Sequence, residues 1–240
     1  MPFVDWSRII MKDFDLFEKK LGLQFKNKDL LIQAFVHRSY LNENPEFGLE
    51  QNERLEFLGD AVLELIITEY LYKEHPQKAE GELTNWRAAL VNAKMLTSVA
   101  EELGFNDFLL LSRGETKELG KARQYILANT FEAFVGSLYL DSGYQAADQF
   151  IKKYVLVKLS DIIQNKLYKD AKSHFQEQAQ DKMGITPAYN VMKEWGPDHK
   201  KKFTVGVFLD EDLIAEGEGY SKQEAEEEAA KKALSVKGWN

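Results

Sequence analysis

Hydrophobic positions recur every three or four residues through the first 165 residues of the chain, which is the spacing of one face of an α-helix. The segment 122–140 is apolar in nearly every direction and is therefore expected to be a buried helix. The polar residues 112–121, which include two glycines, are predicted to form a mobile loop. Residues 1–165 are thus predicted to be an all-α domain. Its predicted helices cover 5–21, 28–35, 51–73, 82–103, 122–140 and 144–164.

The periodicity changes after residue 165. A short polar stretch, 166–170, is predicted to be a linker, and a helix is predicted to follow it. Apolar and polar positions then alternate with a period of two, which predicts strands. Ser221, with Glu224 three residues later, has the form of a capping box that begins a last helix. The order α-β-β-β-α predicts a small α+β domain over 171–240, with helices on one face of an antiparallel sheet. Its first helix is predicted over 171–183 and its strands over 188–195, 202–209 and 213–219.

Composition restricts the class of protein. A hydrophobic content of 44% is enough to bury a core, and the absence of cysteine excludes disulfides, thiolate metal sites and cysteine nucleophiles. No signal peptide is apparent, and no apolar run approaches the ~20 residues of a membrane span. We therefore expect a soluble, cytoplasmic protein with no membrane partner. The net charge of −8 argues against nucleic acid as a partner unless basic residues cluster locally.

The helix predicted over 51–73 carries acidic residues at steps of three, four and four, which places them on one face. The other directions are apolar, so the helix is expected to be buried on most sides. Like charges on a buried helix repel each other and are costly to desolvate, and a divalent cation that prefers oxygen ligands would lower that cost. The alternative is a solvated acidic face on an ordinary amphipathic helix. The four residues are Glu53, Glu56, Asp60 and Glu64.

Two further features accompany the acidic helix. Gly59 precedes Asp60, and the missing side chain permits close approach of a partner or a substrate. In the apolar helix predicted over 122–140, Asn129 and Glu132 are three residues apart and therefore share a face.

At this point the sequence resembles a known family. The stretch 52–62, Asn-Glu-Arg-Leu-Glu-Phe-Leu-Gly-Asp-Ala-Val, resembles the signature of bacterial ribonuclease III, a double-strand-specific endoribonuclease. The resemblance extends through the segments 37–40, 81–84 and 126–134. The second domain, with Gly-Pro-Asp-His at 196–199 and Ser-Lys at 221–222, resembles a double-stranded-RNA-binding domain. Together the motifs span nearly the whole chain in the family's order.

The resemblance implies a Mg²⁺-dependent hydrolase, with Mn²⁺ as a possible substitute, that cuts double-stranded RNA in rRNA and other RNA processing. Its products would carry 5′-phosphate and 3′-hydroxyl ends with short 3′ overhangs. An i,i+4 pair that faces an i,i+3 pair on another helix makes an oxygen cage suited to Mg²⁺. Glu53 is expected to support or approach this site, and Glu64 either meets substrate or lies on the surface. The four metal-binding positions map to Glu56, Asp60, Asn129 and Glu132, and the catalytic residues to Glu53, Glu56, Asp60 and Glu132.

One position departs from the family pattern, because the family usually has Asp where this chain has Asn129. An amide oxygen can coordinate Mg²⁺, but it is neutral. Three interpretations are open: a natural variant that retains activity, a substitution made to disable cleavage, or a protein that binds duplex RNA without cutting it. We expect metal binding to be retained but weakened. The non-cutting RNA-binding protein is the alternative function, and an acidic helical scaffold with an α/β adaptor domain is a third.

Phe57 follows one of the predicted ligands and points away from the carboxylate face. It is either a core aromatic residue or, as the resemblance implies, a projection into a socket on a second subunit. The two strands of a duplex are related by two-fold symmetry, so a homodimer with the same symmetry offers each strand one site.

The resemblance also implies how the second domain contacts RNA. Such domains read the shape of the A-form duplex through its minor grooves and phosphates. A solvated turn is the alternative for the residues that follow the first strand. Residues 171–240 carry ten lysines and thirteen acidic residues, so binding is expected to be modest and sensitive to salt. The predicted RNA-binding residues are Ser173, Gln176, Glu177, Gln180, His199, Lys200, Lys201, Lys202, Ser221 and Lys222.

Overall fold

The computed structural model describes residues 12–117, 119–165, 168, 171–197 and 201–239. They fall into two compact units, and the boundary between the units follows Asn165. The first unit is helical, and the second holds a three-stranded antiparallel sheet with helices. This confirms the predicted fold class. Within the described ranges, no helix is both long enough and apolar enough to cross a membrane.

The helices of the first unit follow the predicted pattern with four corrections, one of which is the short helix Arg38–Glu43 that was not predicted. α1 begins later than predicted because the Asp13 side chain caps it by accepting a hydrogen bond from the Leu16 N–H (2.9 Å), and residues 5–11 lie outside the described ranges. The helix predicted over 82–103 is two helices, because Asn92 is extended and caps the second of them. The helix predicted over 144–164 ends at Tyr154, before a single 3-10 turn. The bounds are α1 (Phe14–Leu21), α2 (Lys28–Ala34), α3 (Arg38–Glu43), α4 (Glu53–Glu74), α5 (Glu80–Val91), α6 (Ala93–Leu103), α7 (Lys121–Tyr154, broken at Gly143) and α8 (Leu159–Gln164).

The core of the first unit is largely aromatic. The Phe17 and Phe35 rings meet edge to face with centroids 5.3 Å apart, and Phe134 packs against both of them. Such ring pairs add about 0.5–1.5 kcal/mol each beyond the area they bury. They hold α7 in the centre of the unit, where it is buried at most positions from Leu127 to Leu138, as predicted.

α4 crosses α7 at a pair of glycines. A Cβ atom on Gly59 would lie 1.7 Å from the backbone oxygen of Glu132, and one on Gly136 would lie 2.2 Å from the backbone oxygen of Leu55. No real side chain tolerates such distances, so the two backbones touch only because both positions lack a side chain. The close approach predicted at Gly59 is therefore made by α7.

The prediction that α4 is buried on most sides is wrong. Its face with Leu55, Val62 and Ile66 packs into the unit, but Phe57 is 83% exposed and Leu65 and Tyr72 are also exposed. The helix carries apolar residues on two faces, and the described residues cover only one of them. The interpretation of Phe57 as a core residue is therefore excluded within this chain.

The second unit has the predicted order of elements. The three strands form an antiparallel sheet in chain order. The last helix packs so closely on this sheet that a Cβ on Gly217 would be only 2.2 Å from the backbone nitrogen of Ala229. Ser221 caps α10 by accepting from the Glu224 N–H, while the Glu224 carboxylate accepts from the Tyr220 N–H. In a standard capping box the glutamate side chain would accept from the N–H of Ser221 itself, whereas here it accepts from the N–H one residue earlier. The bounds are α9 (Ala171–Met183), β1 (Ala188–Trp195), β2 (Lys202–Leu209), β3 (Asp212–Gly219) and α10 (Lys222–Lys237).

Candidate functional site

The start of the acidic helix is held in place by Asn52. Its buried side-chain amide donates to the Ala34 carbonyl (3.0 Å), and its backbone N–H donates to the Val36 carbonyl (2.9 Å). These bonds tie the first turn of α4 to the end of α2. Sequence reasoning missed this role, because an asparagine in front of a helix indicates a cap and gives no sign of a distant partner.

α7 brings Asn129 and Glu132 to the acidic face of α4. Because the helices touch at Gly59 and Gly136, the Glu132 carboxylate lies close enough to Asp60 and Glu56 to interact with their charges. Burial and these two charges raise the pKa of Glu132 to about 8. The four predicted metal-binding positions therefore share one cluster.

Glu56 lies at the centre of this cluster. Its pKa is raised by burial first and then by the charges of Glu53 and Asp60. The side-chain amide of Asn129 hydrogen-bonds the Glu56 carboxylate and opposes that shift. Glu53 is exposed and accepts a hydrogen bond from the Gln51 side chain (3.0 Å), so it borders the cluster.

The donor set suits a hard divalent cation, since it consists of carboxylate and amide oxygens whose mutual repulsion a cation would relieve. Among the residues that the structure describes, no group of three or more His, Cys, Asp or Glu side chains is already arranged to hold a metal ion. Like-charged carboxylates are expected to stand apart until a cation lies between them. The assignment of these residues as ligands stays a prediction.

Gly136 is a second position that sequence reasoning missed. It is as necessary as Gly59 for the contact that joins the two halves of the cluster. The available signal was a residue without a side chain in the middle of a bulky apolar stretch, Phe134-Val135-Gly136, where glycine costs helix stability relative to alanine.

A cavity of about 630 Å³ lies between the last turns of α4 and the start of α5. Tyr72 and Leu83 contribute apolar surface to it, above the buried Leu71. Its opposite walls are joined by a hydrogen bond from the Arg87 guanidinium to the Thr68 hydroxyl (3.0 Å). The cavity is thus a partly apolar depression, held in shape by a hydrogen bond and lined in part by the helix that carries the exposed Phe57.

In the second unit, α9 presents its predicted RNA-binding residues to solvent. All four are exposed, while Phe175 and Ala179 on the other side of the helix belong to the core. The spacing of three, one and three residues keeps the exposed residues on one face. Their contact with RNA stays a prediction. They are Ser173, Gln176, Glu177 and Gln180.

The predicted basic residues of this unit lie where β2 and α10 begin. Lys201 and Lys222 approach the Glu194 carboxylate at 2.9 and 3.9 Å. The Lys202 ammonium lies 5.2 Å from the centre of the Tyr220 ring. Ser221 is exposed at the start of α10. The remaining two predicted residues, His199 and Lys200, lie outside the described residues.

Comparison with known proteins places these features in a family. Residues 27–159 match the family described as Ribonuclease-III-like, and residues 171–237 match the Double-stranded RNA binding motif. The Ribonuclease 3 of Carboxydothermus hydrogenoformans is 47% identical over 219 residues, covering 91% of this chain and 93% of that protein. That of Bacillus licheniformis is 45% identical over 225 residues, covering 93% and 90%.

A solved structure agrees with the sequence relatives. The crystal structure of the nuclease domain of ribonuclease III from Campylobacter jejuni is 38% identical, with a TM-score of 0.55, and covers 62% of this chain and 97% of that one. The matched helical unit is the one that holds the carboxylate cluster. The chain therefore belongs to the ribonuclease III family, as an endoribonuclease whose nuclease domain is followed by a double-stranded-RNA-binding domain.

Proposed function

We propose that this endoribonuclease depends on Mg²⁺, accepts Mn²⁺ in its place, and cuts both strands of duplex RNA. Its products carry 5′-phosphate and 3′-hydroxyl ends with short 3′ overhangs, and its substrates are rRNA precursors and other transcripts. The observation that carries the proposal is that Glu132 on α7 interacts electrostatically with Glu56 and Asp60 on α4, where the two helices touch. The cytoplasmic location expected from the sequence stays a prediction.

The residues of the cluster have different roles, according to their exposure and hydrogen bonds. Asp60 is exposed and accessible to an RNA phosphate, while Glu56 and Glu132 are half-buried. Asn129 directs its amide hydrogens at Glu56, which leaves the amide oxygen available as a neutral ligand. A Mg²⁺ ion on these oxygens would supply a Lewis acid for the scissile phosphate and an acidified water. Glu53 stays at the edge of the cluster, where its charge adds to the field at Glu56.

Cleavage of a long RNA duplex in Mg²⁺ tests this proposal on three proteins: the native chain, Asn129→Asp and Glu132→Gln. We expect cleavage by the first two, and a loss of at least about a hundredfold for Glu132→Gln because a ligand is removed from the metal centre. Glu101→Gln, which neutralises an exposed carboxylate on α6, is the control. Cleavage by Asn129→Asp alone would instead support a native protein that binds duplex RNA without cutting it.

We also propose that the enzyme is a homodimer with α4 at its two-fold axis. Phe57, Ala61, Leu65, Thr68 and Tyr72 are all exposed and follow one another at steps of four, four, three and four residues. This spacing forms a single stripe along the helix. Two such stripes packed antiparallel about Leu65 would bring Phe57 of the partner subunit to the end of the helix that carries Tyr72.

The cavity of about 630 Å³ fits the role of the socket for that side chain, because Tyr72 and Leu83 in its lining offer apolar surface to an aromatic ring. In support, a second structure of the Campylobacter jejuni nuclease domain, 38% identical with a TM-score of 0.54, is described as flexible in a region involved in dimer formation. A two-fold dimer presents one carboxylate cluster to each strand of the duplex.

For the second domain, we propose that the exposed face of α9 reads a minor groove and that the lysines at the starts of β2 and α10 meet phosphates. Exposure of the α9 face and the convergence of lysines from two elements support this assignment. The residues are Ser173, Gln176, Glu177, Gln180, Lys201, Lys202, Ser221 and Lys222, together with His199 and Lys200, which lie outside the described residues.

A further inference from the structure

The carboxylate of Glu194 lies between two lysines that come from different elements. One of its oxygens is 2.9 Å from the ammonium of Lys201, which precedes β2, and the other is 3.9 Å from the ammonium of Lys222, in the first turn of α10. Both ammonium groups also lie 5.9 Å from the centre of the Phe203 ring. Three elements thus build one small site around a single anion.

The sheet register explains why Glu194 reaches this position. Glu194 pairs with Phe203 across β1 and β2, so its side chain starts beside the ring that both ammonium groups approach. The pKa of Glu194 is held below its usual range, chiefly because Lys201 donates to it. The side chains of Glu194, Lys201 and Lys222 are 37, 39 and 60% exposed, so a ligand from solvent can reach all three.

We propose that Glu194 occupies the place of an RNA phosphate and competes with duplex RNA for Lys201 and Lys222. A carboxylate and a phosphate accept the same charge-assisted hydrogen bonds from lysine. RNA must therefore displace Glu194 before it gains these two contacts, and Glu194 sets the affinity of the domain below what its lysines alone would provide. This inference rests on the proposed RNA-binding role of the two lysines.

The exchange is energetically feasible because ion pairs between exposed side chains contribute little to stability. The domain has a formal charge of −3 over residues 171–240 and carries lysine as its sole strongly basic residue type. Each lysine released for phosphate contact therefore matters. Neutralising Glu194 should increase both the affinity for duplex RNA and the number of counterions released on binding.

Binding of the full-length chain to a long RNA duplex in EDTA, measured by fluorescence anisotropy across a KCl series, tests the proposal without cleavage. We expect Glu194→Gln to tighten binding by about two- to tenfold near physiological salt. The slope of the logarithm of the association constant against log [KCl] should become steeper by about 1–2. Glu211→Gln is the matched control. It makes the same charge change at an exposed position in the β2–β3 turn, at the opposite end of the β2–β3 hairpin.

A second pair of variants separates this inference from the RNA-binding face on which it rests. The double variant Lys201→Gln/Lys222→Gln should weaken binding in the native background, and adding Glu194→Gln to it should produce no gain. If the lysine variant weakens binding but Glu194→Gln leaves it unchanged or weaker, the competition is disproved and the face stands. If the lysine variant binds as the native chain does, the proposed face is wrong and the inference falls with it. Equal melting temperatures would show that every variant is folded.

Discussion

Asn129 hydrogen-bonds Glu56, whose charge acts together with that of Asp60 on Glu132. An aspartate at this position would replace the amide donor with a fourth carboxylate. Without metal, its charge would repel the neighbouring Glu56 carboxylate, whereas with Mg²⁺ it would act as an additional charged ligand. If residue 129 is a ligand, as we propose, its identity exchanges stability of the metal-free protein for affinity for the cation.

We predict that Asn129→Asp lowers the free energy of unfolding in EDTA by ~1 kcal/mol, from the lost hydrogen bond and the added repulsion. In Mg²⁺ the same substitution should reduce the metal concentration needed for half-maximal cleavage, by about tenfold, because Ca²⁺ and Mg²⁺ sites are tuned by ligand charge. Urea unfolding and a Mg²⁺ titration of cleavage measure the two effects. A variant that is equally stable without metal would contradict the proposed contact.

From the raised pKa of Glu132 we predict that the free energy of unfolding depends on pH. Its pKa is about 8 in the folded chain and about 4.5 as an ordinary glutamate, so the folded protein holds an extra proton between these values. Stability from this group is full below pH 4.5 and is lost as the pH rises towards 8. In EDTA, the native chain should therefore lose stability relative to Glu132→Gln between pH 5 and about 8.

Thermal unfolding of the two proteins across this pH range measures the effect. Adding Mg²⁺ should reduce the loss, because a cation favours the deprotonated carboxylate. Parallel stability curves in EDTA would show that Glu132 does not titrate differently in the folded chain.

At the scale of elements, the contact between α4 and α7 holds the nuclease domain's cluster together. Each glycine of the pair faces backbone atoms of the opposite helix, which have no rotamer to move away. A methyl group at either position must therefore separate the helices and move Glu132 away from Asp60 and Glu56.

We predict that Gly136→Ala lowers the free energy of unfolding by about 3 kcal/mol, because overpacking against backbone cannot relax locally. Cleavage should fall with it. Gly81→Ala is the matched control: it lies in α5, and a Cβ there would meet no described atom within 4 Å. We expect that substitution to be neutral or to stabilise by up to about 1 kcal/mol. Chemical denaturation measures both, and equal stabilities would contradict the close crossing.

At the scale of the whole molecule, the proposed homodimer depends on the exposed stripe on α4. We predict that Phe57→Asp weakens dimerisation by at least about a hundredfold, since a buried aromatic anchor typically contributes about 2 kcal/mol or more and a two-fold dimer loses two of them. Sedimentation velocity at micromolar concentration should show a monomer. The melting of the isolated subunit should change little, because Phe57 is 83% exposed within the chain.

Leu16→Asp provides the control for this prediction. Leu16 is 61% exposed on α1, so the substitution places the same charge at an exposed apolar position of the same unit. We expect that variant to remain a dimer. A Phe57→Asp protein that still sediments as a dimer would rule out the α4 interface.

Local periodicity was sufficient to predict most helices and strands, because a strand or an amphipathic helix repeats its own pattern over many residues. The strand bounds 188–195 and 202–209 and the helix bounds 171–183 agree with the structure. The break at Asn92 was missed because the apolar period continues through it. A single side-chain cap ends one helix and begins the next there.

The sequence by itself determined the family, the fold class and the positions proposed for the chemistry, since short motifs and periods are local properties of the chain. Only the tertiary structure decided which apolar face of α4 is buried and that Gly59 meets Gly136. It also decided that Glu194 lies between Lys201 and Lys222. The physical reason is the same in each case: burial, close approach and ion pairing belong to pairs of surfaces, and one segment's pattern does not specify its partner.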